Sequence, residues 1–167
     1  IKIASGYGTA IFYGDFVKLV STGTVEKAAV TTSVVAGTVG IFVGCAYTDP
    51  STSQKTFNQQ YPASTSADDI VAYVVDDPKL LFRMQGDEAI AQTGLGNNIS
   101  AVNTAGSTSI GRSKNALDGG SIATTNTLPL RVVDFVDGPS STVGDAFTDC
   151  IVTYLPLSHA YETKLGV

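Results

Sequence analysis

Residues 39–47, VGIFVGCAY, place the tightest limit on how this chain can fold. Laid out as a pleated strand, Val39, Ile41, Val43 and Cys45 project to one side, and Gly40, Phe42, Gly44 and Ala46 to the other. Both faces are apolar or small, so the run has to be covered on both sides, as a central strand is. The preceding residues supply neighbours for it. GDFVKLV, residues 14–20, is rich in the Phe, Val and Leu that suit a half-buried pleated surface. Thr22-Gly23 marks a turn, because glycine reaches positive φ without a steric penalty, and residues 24–30 return as a more polar strand. Residues 14–49 therefore read as the spine of a small β-barrel.

The rest of the chain continues in short runs. TAIFY, residues 9–13, reads as a strand and residues 1–5 as a weaker one. Residues 31–37 read as a loose connection. Residues 49–69 have no periodicity, two prolines and many small polar residues, and read as one long loop. Loops of that length inside a compact domain are often functional. Phe57 and Tyr61 are its large aromatics. They either anchor in a partner's groove or fold back on their own barrel. IVAYVV, residues 70–75, is a strand ended by Asp76-Asp77-Pro78, and LLFRMQ, residues 80–85, is its return. Residues 86–98 hold three glycines and read as a linker with one helical turn over 88–92. Further strands are expected at 99–102, 107–110, 127–136 and 146–155. Polar loops are expected at 112–126 and 137–145, and a tail over 156–167 carries His159 and Tyr161. The expectation is an all-β protein of two small β-barrel or β-sandwich domains with long polar loops, at 1–85 and 99–167, joined by the linker.

Charge removes whole classes of partner. Only 15% of the 167 residues are charged, against roughly 25% in an average domain. The formal net charge is −5 and no Lys/Arg cluster occurs, so nucleic acid and anionic membranes are poor partners. No apolar run reaches the 18 or so residues of a membrane span. No signal peptide is visible, and because the chain begins at Ile1 its first residues assign no compartment. Cys45 and Cys150 sit in separate apolar runs and read as buried thiols acting as small hydrophobes, with a disulfide between them left open.

Chemistry is equally sparse. His159 is the single histidine; Ser158 precedes it, but neighbours on an extended chain point to opposite sides. A Ser-His-Asp site assembled from distant residues has no G-x-S-x-G or other mark of a nucleophile to support it. Two distant cysteines and one histidine lack the short ligand spacings of zinc sites. Asp68-Asp69 and Asp76-Asp77 lie at opposite ends of one strand, roughly 20 Å apart at the usual rise, too far to share a calcium ion. Gly94-x-Gly96 and Gly119-Gly120 lack the helix and Lys of a phosphate loop. A carboxylate pair for glycoside hydrolysis stays open, since it need only meet in space, but without Trp a sugar platform would rely on Tyr. No catalytic, cofactor-binding or metal-binding residue is therefore expected, and no cofactor.

GYGTAIFYGDFVKLVSTGTVEKA, VGIFVGCAYTD, NQQYPAS, IVAYVVDDPKLLFRMQGD, IGRSKNALD, LPLRVVDFVDG and the closing SHAYETKLGV together resemble the head-associated structural proteins of tailed bacteriophages, the decoration or cement proteins. The resemblance rests on strand and turn patterns spread over most of the chain, and it transfers no individual binding residue. It implies a non-enzymatic virion protein, assembled in the host cytoplasm, that docks on the outer capsid surface. There it would bridge major capsid protein subunits and self-associate as a homotrimer. The contact residues would then come from the polar loops and chain ends, with Phe57, Asn58, Tyr61, Arg112, Lys114 and Tyr161 as candidates. Two other readings stand beside it: a carbohydrate-binding or adhesion module of a phage fibre, and a hydrolase on a β scaffold.

Overall fold

The computed structural model describes residues 1–31, 37–163 and 166. The connection expected at 31–37 therefore lies largely outside the described residues, as does the very end of the tail. The chain is all-β, with two antiparallel sheets and a single-turn 3-10 helix at Gln92–Gly94. The first sheet holds β1 (Phe16–Leu19), β2 (Val25–Lys27), β3 (Thr38–Thr48), β4 (Lys55–Asn58) and β5 (Val71–Val75). The second holds β6 (Phe82–Gln85), β7 (Asn98–Val102), β8 (Ala116–Ala123), β9 (Leu130–Phe135) and β10 (Asp149–Tyr154), in the order β6-β10-β9-β7-β8. Neither sheet closes, so the barrel expected around residues 14–49 is an open sheet.

β3 is the covered central strand that its composition requires. Ile41 pairs with both Phe16 and Val75, and Cys45 with both Asn58 and Ala72. β1 and β4 thus lie end to end along one edge of β3, and β5 runs along the other. Strict alternation does not survive. The register shifts opposite Val17/Lys18 and again between Phe42 and Gly44. These two bulges let Val39, Phe42, Cys45 and Tyr47 all reach the same apolar cluster. Gly40, at φ +153°, marks the first irregularity: a Cβ there would sit 2.1 Å from the Val75 carbonyl oxygen. No other residue fits that position without moving β5.

Two hydrophobic clusters follow. One lies on a single face of the first sheet, beneath Ile3, Ile11, Tyr61 and Ile70. The other fills the second sheet with Ile90, Ile99, Leu117, Leu130 and Val152, and it also takes Phe16, Ala28 and Val30 from the first half of the chain. Chain order and packing therefore disagree at the boundary expected near residue 85. β6 does not return along β5 but pairs with β10, because Phe82 and Met84 find their apolar cover in the second cluster. The expected linker at 86–98 is packed as well: Ile90 is buried and its N–H donates to Thr148 Oγ1 at 3.0 Å. β4 and β8 arise inside stretches read as loops, whereas residues 107–110 form no strand and 9–13 make only isolated bridges at Ile11 and Tyr13. β8 tolerates Gly119 because Glu88 packs over it; a Cβ there would fall 2.7 Å from Glu88 Cγ. The two cysteines are free and occupy different clusters, and burial pushes each thiol up to about 11.

The halves are joined through one buried carboxylate. Asp15 is fully buried and accepts the Phe12 N–H at 2.9 Å, the Ser113 hydroxyl at 2.6 Å and the Asn115 Nδ2 amide at 3.4 Å. Ser113 and Asn115 share Oδ1, and Lys27 Nζ lies 2.9 Å from Oδ2, the oxygen that accepts the Phe12 N–H. Burying a charge is tolerable only with such a complete set of partners. Replacing Asp15 with Ala leaves Lys27 and three donors stranded and is expected to cost about 3–5 kcal/mol in equilibrium urea unfolding. Pairing Asp15→Leu with Lys27→Met should recover part of that loss, since it removes both charges together.

Candidate functional site

The most open apolar feature is on the outward face of the first sheet. Gly44 pairs with Tyr73 on β5, and Ala46 pairs with Phe57 on β4. Paired residues share a face, so two aromatic rings stand on either side of a strand that carries almost no side chain there. Phe57 is 72% exposed and Tyr73 45%. Between them lies a shallow groove of about 290 Å³ whose lining includes Val43, Gly44 and Asn58. Gly44, at φ +143°, keeps its floor low; a Cβ there would approach the Asn58 carbonyl oxygen to 3.1 Å. The face continues along β3 and β5 to Ile41 and to the exposed Val75.

Of the contact residues expected from sequence, the fold gathers some and separates others. Phe57 and Asn58 belong to β4, and Asn58 Oδ1 accepts the Gln60 N–H at 3.2 Å. Gln59 lies against Gly111, where a Cβ would meet it at 3.7 Å, so exposed Arg112 and Lys114 follow on from the same side. Tyr61 is a correction. It is fully buried, its hydroxyl donates to the Tyr7 carbonyl at 2.9 Å, and its N–H donates to the Ile11 carbonyl at 2.7 Å. It folds back on its own sheet and offers nothing to a partner. Tyr161 is exposed but lies toward the opposite end of β3, where its hydroxyl donates to Asp76 Oδ2 at 3.1 Å. Tyr73 was missed. Its only sequence signal is the alternation of IVAYVV on what proves to be an edge strand. Ile110, 62% exposed beside the Arg112 loop, was missed too, because residues 107–110 were read as a strand.

The tail is structural. The Ala160 N–H donates to the Thr38 carbonyl at 2.7 Å, and His159 is fully buried between the rings of Tyr154 and Tyr161, 5.2 and 5.3 Å away by centroid. Ser158 Oγ lies 2.8 Å from the Pro129 carbonyl and 2.7 Å from that of Leu155, so its proton is committed to backbone and not to His159. Three carboxylates unforeseen in the sequence, Asp87, Glu88 and Asp118, come within 4.8 Å of one another at the surface. Asp87 Oδ1 accepts the Gly119 N–H at 3.1 Å and Asp118 Oδ2 the Ser100 hydroxyl at 3.3 Å, so they already serve the local turn. Asp69 takes the Thr48 N–H and hydroxyl and Lys55 Nζ, with the lysine contact foremost in holding its carboxyl well below the usual range.

No family model, curated protein or solved structure matches the chain. Among the described residues no helix is long and apolar enough to cross a membrane.

Burial lowers the pKa of His159, against an opposing pull from the Val39 backbone and the carboxylates of Glu162, Asp76 and Asp77. The docked tail therefore prefers the neutral ring. Its contribution is complete above the free value of about 6.5 and is lost as pH falls through the lower docked value. Melting temperatures taken from pH 8 to 5 should show an extra loss below about 6.5 that His159→Phe abolishes.

Proposed function

We propose that this chain is a decoration or cement protein: a non-enzymatic virion structural protein that binds the outer surface of an assembled phage capsid and bridges major capsid subunits. The observation that carries this reading is the groove between Phe57 and Tyr73 over Gly44. It is a contact surface open to a large partner, and it stands on paired strands rather than on mobile loops. Exposed aromatics on a rigid support bind at low conformational cost and are the usual anchors of protein interfaces. In this reading the two sheets act as two β units of one module. A net charge of −5 suits a position outside the shell, away from packaged DNA.

The mechanism is linkage. A protein that binds the assembled shell and not its dissociated subunits stabilises the shell by mass action. Each copy needs only a few kcal/mol of affinity when copies also contact one another, because neighbours raise the effective concentration. A homotrimer placed at local three-fold positions supplies that arrangement. A second reading draws on the same groove: two aromatic rings flanking a glycine floor also make a stacking platform for a sugar, as a fibre adhesion module would use.

Phe57→Ala and Tyr73→Ala together should reduce occupancy on purified empty shells about tenfold or more in co-sedimentation, with the far-ultraviolet spectrum of the free protein unchanged. Unchanged occupancy would remove this face as the anchor, and glycan-array binding without shell binding would establish the adhesion reading. Tyr61→Ala is no test of contact: truncating that buried ring should cost about 3–5 kcal/mol of stability.

A further inference from the structure

β6 is the end strand of the second sheet, and apart from a bridge at its Gly86 end its outer edge takes no partner strand. The Gly86 N–H donates to the Thr148 carbonyl at 2.8 Å, and Met84 stands opposite Cys150. In an antiparallel ladder the bonding pairs alternate, so Phe82, Met84 and Gly86 bond toward β10 while the Arg83 main-chain groups and the Gln85 N–H turn outward; the Gln85 carbonyl is taken up at the Gly86–Leu117 bridge. Across from this edge run residues 112–115, which lead into β8. The two flanks touch at the parallel bridge Gly86–Leu117, where the Asp87 N–H donates to the Leu117 carbonyl at 2.8 Å. From that point they diverge toward Phe82 and Arg112 and leave a cleft of about 390 Å³. The 112–115 flank is already bonded elsewhere. The Ser113 N–H donates to the Tyr13 carbonyl at 2.9 Å, and the Arg112 carbonyl accepts the Ser107 N–H at 2.9 Å. The outward groups of Arg83 and the Gln85 N–H face the cleft from the other side.

The lining sorts by chemistry. Ile41, Phe82 and Met84 are half-buried and form the floor with Phe16. The rim carries Arg83, Gln85, Arg112 and Asn115, and no carboxylate lines the cleft. Arg83 pairs with Asp149, while Arg112 makes no ion pair among the described residues, and Lys114 stands exposed beside it. In a chain of net charge −5 this is a local reversal of sign. A strand laid along β6 would turn alternate side chains to the apolar floor and the others to the cationic rim.

We propose that this cleft is a strand-addition site for an extended segment of another protein, alternating apolar and acidic residues. It pairs with the outward edge of β6, rests its apolar side chains on Ile41, Phe82 and Met84, and sets its carboxylates against Arg112 and Arg83. Main-chain bonds supply affinity, and the sign of the rim selects the partner. The site does not depend on the partner being a capsid subunit.

The probe is a terminally blocked eight-residue peptide alternating valine and aspartate, compared with its valine–lysine counterpart, titrated into the full isotope-labelled chain. The acidic peptide should slow amide exchange at Arg83 and Gln85 about tenfold or more, and the lysine peptide should bind about tenfold more weakly. Arg112→Glu, a change at an exposed side chain, should weaken the acidic peptide about tenfold while leaving the amide spectrum elsewhere in place. Equal binding of the two peptides, or binding without protection of Arg83 and Gln85, would overturn the proposal. So would full displacement of the acidic peptide by millimolar inorganic phosphate, which would mark a simple anion site. The peptide comparison uses the unaltered chain, so it stands if the variant misfolds. It also fails or succeeds independently of the Phe57 and Tyr73 variants on shells.

Discussion

A charged group sealed away from water is costly unless every lone pair finds a donor, and Asp15 meets that condition only by drawing on residues far apart in the chain. Phe12 and Lys27 come from its own neighbourhood, and Ser113 and Asn115 from the second half. The requirement fixes more than stability. Together with the backbone bonds between Ser113 and Tyr13, it ties the segment 112–115 to the first half of the chain, on the flank of the cleft opposite β6. Lys27, also 5.8 Å from the Phe12 ring centroid, braces the same corner. The seam thus combines a buried electrostatic joint with an apolar cluster shared by both halves and with backbone bonds such as Ala101 N–H to the Val30 carbonyl.

Much of the first sheet was legible because its strands follow local rules. The apolar runs of β3 and β5 and the turn at Gly23 each carry their own signal, as do the strong strands β9 and β10 of the second sheet. What stayed hidden depends on distant partners. β4 looks like loop because Lys55, Thr56 and Asn58 are polar, and only pairing with β3 makes a strand of them. β8 contains two adjacent glycines that a lone strand would not tolerate and that Glu88 compensates from outside. The bulges in β3 were invisible for the same reason: strict alternation put Val39 and Phe42 on opposite faces, while the paired neighbours force both into one cluster.

The site shows the same division. Phe57 was found because a large aromatic on a polar stretch is conspicuous, yet its counterpart was misjudged. Tyr61 has a hydroxyl that a buried backbone carbonyl can satisfy, and so it turns inward. Tyr73, on an edge strand opposite a glycine, stays out. The groove and the cleft then prove to be neighbours. Ile41 lines the cleft and Val43 the groove, two residues apart on the same strand.

Each hydrophobic cluster encloses one thiol, Cys45 in the first and Cys150 in the second, with its proton held by burial. The two are free and lie in different clusters, and burial disfavours in each the thiolate that disulfide exchange and oxidation require. Their contribution to the fold is volume in a packed cluster rather than a cross-link.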